Sequence, residues 1–151
     1  MKDPLQIPPM ASLVVLDTNL VLDLLVFDDS ACVPLREALA RSQLRWIATA
    51  AMREELARVL GYPLIVTRLE RTGRTAAGVL AAFDAQAHAL PLPPAAPCRC
   101  DDPDDQVFID LAVAHGARLL SKDRAVLVLR KPLVDLGVKV SAHFAEEGDN
   151  A

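Results

Sequence analysis

The chain has no apolar run approaching the roughly 20 residues needed to cross a bilayer, and its first residues lack the basic-then-apolar order of a secretory leader. A cytoplasmic protein is therefore expected. Its three cysteines, Cys32, Cys98 and Cys100, form no C-x-x-C pair, and no two histidines stand at zinc-finger spacing, which speaks against a structural zinc. His88, His115 and His143 show no ligand spacing either. No G-x-G-x-x-G follows the first apolar run, which disfavours a dinucleotide-binding domain. Positive charge is not in surplus: the net charge of −4 argues against nucleic-acid binding through bulk basicity. No internal repeat is present. Apolar residues, by contrast, make up 52% of the 151 positions. That is enough for one core, incompatible with a disordered chain, and suited to a single domain.

Strand-like and helix-like segments alternate. Residues 1–12, with Pro4, Pro8 and Pro9, read as a flexible lead-in. Leu13–Leu16 is a continuous apolar run suited to a strand buried on both faces. Helix is expected over 20–26, over 33–42 with Pro34 tolerated in the first turn, and over 50–60, stopped by Gly61 and Pro63. A strand is expected at 46–48. Helices follow over 64–71 and 76–88 around Gly73, and then Pro91, Pro93, Pro94 and Pro97 impose an extended segment. The remainder reads as helix 104–115 ended by Gly116, strand 118–121, helix 124–131, strand 138–140 and a polar tail from 145 to 151. This order predicts an α/β/α sandwich around a central, mostly parallel twisted sheet. In such sheets the site lies at the carboxyl ends of the strands, near the switch in strand order.

Four acids are candidates for that site: Asp17 and Asp123 stand just past expected strands, where the rule puts it, Glu55 lies within a helix, and Asp105 at the start of another. Each has a local explanation. Asp17 could cap the following helix, Asp102 could cap the helix that Pro103 opens, and Asp104 suits the dipole of its first turn. Glu54 and Glu55 could be solvated, and Asp123 could belong to a turn. Gathered together, however, the acids would repel one another unless a positive group offset them, and hard divalent cations take oxygen ligands of this kind.

Neighbouring acids can be separated by helix phase. Residues one apart on a helix point about 100° apart, so Glu54 and Glu55 cannot face one pocket equally. Glu55 shares its side with Met52 and Val59, whereas Glu54 precedes Arg58 by one turn in the order that favours exposed pairs. Asp105 precedes Ile109 and Ala112 on the apolar stripe. Glu55 and Asp105 are thus expected in the pocket, Glu54 outside it and Asp104 at its rim.

The runs Val14-Val15-Leu16-Asp17-Thr18-Asn19-Leu20-Val21, Glu55-Leu56-Ala57-Arg58-Val59-Leu60, Asp102-Pro103-Asp104-Asp105-Gln106-Val107-Phe108-Ile109 and His115-Gly116-Ala117-Arg118-Leu119-Leu120-Ser121-Lys122-Asp123 together resemble the PIN-domain ribonucleases. The likeness is greatest to the bacterial branch that supplies toxins of toxin–antitoxin pairs. It covers roughly residues 13–144, leaving out the Pro-rich segment and the tail. The resemblance implies that Asp17, Glu55, Asp105 and Asp123 are catalytic, and that Asp17, Asp105 and Asp123 bind Mg²⁺ or Mn²⁺. Asn19 and Ser121, with Asp104, would support them. It further implies hydrolysis of single-stranded RNA, a homodimer and a separately encoded antitoxin. Arg53, Arg58, Arg68, Arg71 and Arg74 are candidate contacts to the RNA backbone, each with a plain alternative as a solvated helix charge. Two other classes compete. A receiver domain of the response-regulator kind would need an acid pair after the first strand, which is missing. A non-catalytic PIN-like domain that binds RNA or protein usually lacks some of the four acids, and none is missing here.

Overall fold

The computed structural model describes residues 1–145. Five short strands, β1 (Leu13–Leu16), β2 (Arg45–Ala48), β3 (Ala87–Ala89), β4 (Arg118–Leu120) and β5 (Val140–Ser141), form one sheet in the order β3-β2-β1-β4-β5. Every pairing in it is parallel. Parallel strands must be joined by crossovers, and helices supply them: α1 (Thr18–Leu25), α2 (Val33–Ala40), α3 (Ala50–Val59), α4 (Pro63–Arg71), α5 (Ala76–Gln86), α6 (Gln106–His115), α7 (Arg124–Leu127) and α8 (Arg130–Asp135). The apolar run Val14-Val15-Leu16 takes the centre of the sheet, where both faces are covered, and it is 0–2% exposed.

From β1 the chain builds outward through β2 to β3, then returns to the other side of β1 for β4 and β5. Strand order therefore reverses between β1 and β4. Their pairing of Leu16 with Leu120, and the Asp17 N–H bond to the Leu120 carbonyl at 3.1 Å, bring the residues after the two strands side by side. This is where an open parallel sheet leaves a crevice for ligands.

Several local expectations shift. The helix expected over 76–88 stops at Gln86, and Ala87–Ala89 is an edge strand with no loop before it. Alanine and histidine carry little strand preference, so tertiary pairing to Trp46, Ile47 and Ala48 decides the conformation. The start of the lead-in is docked on that edge: Lys2 N–H bonds the Ala87 carbonyl at 2.8 Å, Ala89 N–H bonds the Lys2 carbonyl at 2.9 Å, and the Met1 ammonium lies 3.3 Å from Asp84. The helix expected over 104–115 opens as a 3₁₀ turn, Pro103–Asp105, and becomes α-helical from Gln106. The helix expected over 124–131 divides into α7 and α8, and the last strand begins at Val140 instead of 138. The expected polar tail lies, from residue 146 onward, outside the described residues.

The Pro-rich segment has no helix or strand from 91 to 102, as its prolines require, and α6 holds its far end. Gln106, buried at the first turn, donates from Nε2 to the Cys98 carbonyl (3.0 Å) and to Asp110 Oδ1 (2.8 Å), and its Oε1 accepts from Cys100 N–H (2.6 Å). Asp110 Oδ1 also accepts from Ala96 N–H (2.9 Å). Two side chains on one helix thus satisfy the strap's backbone and fix where Asp102–Asp105 enter.

Candidate metal centre

Asp17 ends β1 and caps α1, its Oδ1 accepting from Leu20 N–H at 3.0 Å. The same carboxylate accepts a short hydrogen bond from Ser121 Oγ, and Ser121 Oγ accepts from Asp123 N–H at 3.0 Å. Ser121 is fully buried and Asp17 is 3% exposed. One hydroxyl therefore couples the acid after β1 to the acid after β4. Asp123 caps α7 through Ala125 N–H (2.9 Å). Burial pushes the Asp17 carboxyl above its ordinary range, against the lowering effect of its bonds to Ser121 and Leu20.

Asp105 closes the 3₁₀ turn and precedes α6. One carboxylate oxygen each from Asp102, Asp105 and Asp123 lie within 4.8 Å of one another. Asp105 Oδ2 is buried with no hydrogen-bond partner. Burial first, then the hydrogen bond and charge of Asp123 and the charges of Asp102 and Asp17, push the Asp105 carboxyl up to about 7. A desolvated carboxylate facing others favours the protonated form unless a cation intervenes.

Glu55 reaches the same place from α3, accepting from Thr18 Oγ1 at 2.6 Å. Asp17, Asn19, Glu55, Asp105 and Asp123 all line one cavity of about 600 Å³, which no Lys, Arg or His lines. Its remaining wall is apolar and includes Leu22, Val59, Tyr62, Leu64 and Phe108. Of the neighbouring acids, Glu54 is exposed and absent from the lining, and Asp104 is exposed with its N–H donated to Asp102 Oδ1 at 2.9 Å.

The tightest carboxylate trio differs from the expected ligand set in one member, with Asp102 taking the place of Asp17. Both Asp17 oxygens already accept hydrogen bonds, whereas capping Asp104 N–H occupies one oxygen of Asp102 and leaves the second. Asp102 reads from sequence as a helix cap, and it is one; the signal for more is its place in the run Asp101-Asp102-Pro103-Asp104-Asp105, denser in acid than capping requires. Gln106 and Asp110, which hold the strap, carry no comparable signal.

The five arginines divide. Arg53 makes a bidentate pair with Asp84 (2.8 Å twice), and Arg74 bonds the Leu25 and Val26 carbonyls at the end of α1 and pairs with Asp28. Arg68 bonds the Phe27 carbonyl (3.2 Å) and lies over its ring. These three are engaged inside the fold. Arg58 and Arg71 are exposed and have no side-chain partner among the described residues.

A parallel α/β domain with carboxylates converging at its switch point is consistent with a divalent-metal site. The PIN-domain model matches residues 13–125, and the chain belongs to the PIN-domain family. Among solved structures, a PilT N-terminus domain protein from the hyperthermophilic archaeon Sulfolobus solfataricus P2 is similar, with 17% identity over 85% of each chain and a TM-score of 0.42. A comparison with curated proteins found no match. Among the described residues no helix is long and apolar enough to cross a membrane.

Proposed function

We propose that this chain is a Mg²⁺- or Mn²⁺-dependent endoribonuclease acting on single-stranded RNA, the toxin member of a toxin–antitoxin pair. The observation that carries the reading is the convergence of Asp102, Asp105 and Asp123, with one carboxylate oxygen of Asp105 buried and unpartnered. An all-carboxylate donor set suits a hard cation and disfavours softer metals that prefer nitrogen and sulfur. Asp105, Asp123 and Asp102 would hold it, with Asp17 behind them, positioned by Ser121. Such a cation, when bound, supplies a nucleophile at neutral pH and neutralises charge developing on a phosphodiester.

The protein's own groups account for the rest. Glu55, fixed by Thr18, faces the cavity where it can orient water or accept a proton from it. The apolar wall at Tyr62 and Leu64 offers splayed bases a surface, which favours unpaired RNA because a duplex keeps its bases stacked inside. At the rim of the cavity Leu64 is 84% exposed and Tyr62 49%, supporting coverage of this face by a second copy or an antitoxin.

The test uses purified chain on a fluorescent single-stranded oligoribonucleotide. Cleavage is expected with Mn²⁺ or Mg²⁺, none with EDTA, and a loss of at least about 100-fold in Asp105→Asn and Asp123→Asn, on the scale of removing a group that stabilises transition-state charge. Direct Mn²⁺ binding by calorimetry should weaken in the same variants. Equal cleavage by wild type and variants, or Mn²⁺ binding unaffected by both, overturns the reading.

A further inference from the structure

A second cavity, of about 300 Å³, opens beside α2 at the amino ends of β2 and β3, the opposite edge of the sheet from the carboxylates. Lys2, Arg36, Arg45 and His88 line it, and no acid does. The chain as a whole carries 20 acids against 16 Lys and Arg, so four basic side chains around one hollow run against its average. Arg45 is half-buried, and its Nε is buried with no hydrogen-bond partner. The Lys2 and Arg45 side chains make no ion pair among the described residues. Arg36 is partly committed, donating to the Leu24 carbonyl (3.1 Å) and lying 3.8 Å from Asp28. His88 is 2% exposed, its Nδ1 3.2 Å from the Asp3 carbonyl.

A buried guanidinium donor without an acceptor is costly, and crowding cations beside it adds to the cost. A compact anion in the hollow relieves the crowding of cations. A guanidinium fork matches the oxygens of phosphate bidentately, while an ammonium adds a point charge. The hollow has room for a phosphate and for little more than a nucleotide. We propose that this cavity is an anion site that takes a phosphate group, with Arg45 as its principal donor and Lys2 closing the rim. It is independent of the nuclease reading, since it lies on the other edge of the sheet and shares no residue with the acidic cavity.

Trp46, the chain's single tryptophan, is 1% exposed and borders this cavity, so a change in its surroundings on occupancy is read from its emission. Full-length protein in EDTA is titrated with sodium phosphate and, separately, with sodium chloride at matched ionic strength. The expected result is a saturable change with phosphate alone, its midpoint shifted on the order of ten-fold in Arg45→Gln, the loss of one charge-assisted bond. It should be unmoved in Arg130→Gln, a remote exposed cation. Lys2→Gln tests the same prediction through an exposed side chain whose backbone bonds survive the change. An oligoribonucleotide that saturates the signal at lower concentration than inorganic phosphate assigns the site to RNA backbone; saturation by inorganic phosphate alone assigns it to free phosphate. Identical responses to phosphate and chloride, or a phosphate midpoint unchanged in both Arg45→Gln and Lys2→Gln, overturn the proposal.

Discussion

The two ends of the parallel sheet carry opposite charge. At the carboxyl ends of β1 and β4 the cavity is lined by acids and by no cation; at the amino ends of β2 and β3 it is lined by cations and by no acid. Elsewhere several charges are paired: Arg53 with Asp84, Arg74 with Asp28, Lys122 with Asp23. Left to stability alone, these two ends would be paired as well, since like charges held together weaken the folded state. On the readings proposed above, the contrast separates charges that serve the fold from charges that take a ligand. Asp105 Oδ2 at one end and Arg45 Nε at the other are buried without a hydrogen-bond partner, as is Arg68 Nε, which lies at neither.

The contrast is tested most strongly at the acidic end, by metal and pH together. In the metal-free fold the Asp105 carboxyl titrates at about 7 against 3.8 for the free side chain. Between those values the folded state holds more protons than the unfolded one, so stability falls as pH rises. The contribution is present in full below 3.8 and gone once pH has passed through about 7. Melting in EDTA should show that decline. Mn²⁺ should reverse it, because a cation competes with the proton for the same oxygens: at a hundred times its dissociation constant it adds about 2.7 kcal/mol. Asp105→Asn should flatten the metal-free slope and remove most of the metal response. A metal-free protein equally stable at pH 4.5 and 7.5 would break the argument that these carboxylates repel.

A smaller effect is expected at the strap. Gln106 satisfies Cys98 and Cys100 from inside the protein, and Gln106→Leu keeps the volume while orphaning both backbone groups. The expected loss is about 1–3 kcal/mol, read as a shift in the urea midpoint. Mn²⁺ affinity should fall with it, because Asp102 and Asp105 lie just beyond the segment Gln106 holds. Lost stability with unchanged Mn²⁺ affinity would show that the acids are positioned by the 3₁₀ turn alone.

These two regions also differ in how far they can be read from sequence. Asp17 and Asp123 are legible because each follows an apolar run, and a parallel sheet presents the ends of its strands to a crevice. Glu55 and Glu54 separate by helix phase, since Met52 and Leu56 are buried and fix the rotation of α3. Asp102 is obscured because its capping role is real and sufficient. The strand at Ala87–Ala89 is illegible because nothing local ends the preceding helix; its conformation is imposed by β2 on one side and Lys2 on the other. The basic cavity escapes sequence for the same reason. Lys2, Arg36, Arg45 and His88 share no motif: the pairing of β2 with β3 and the placing of α2 gather the last three, and the docking of the first residues onto β3 adds Lys2.

The smallest effects are expected among the arginines, where the same division between fold and ligand applies residue by residue. Arg74 bonds two carbonyls at the end of α1, so Arg74→Gln should lower the melting midpoint through the folded state, whatever it does to RNA. Arg58 and Arg71 are exposed, and no described residue partners either side chain. Neutralising one of them should leave melting unchanged. If it contacts a phosphate, RNA affinity should fall modestly and evenly across sequences, and the slope of log affinity against log salt should drop by about 1. The salt slope is the deciding measurement, because altered folding would change affinity without removing a counterion-release step. An unchanged slope in both Arg58→Gln and Arg71→Gln would mark them as solvated helix charges, and would leave the apolar wall beside Glu55 as the main support for RNA near the carboxylates.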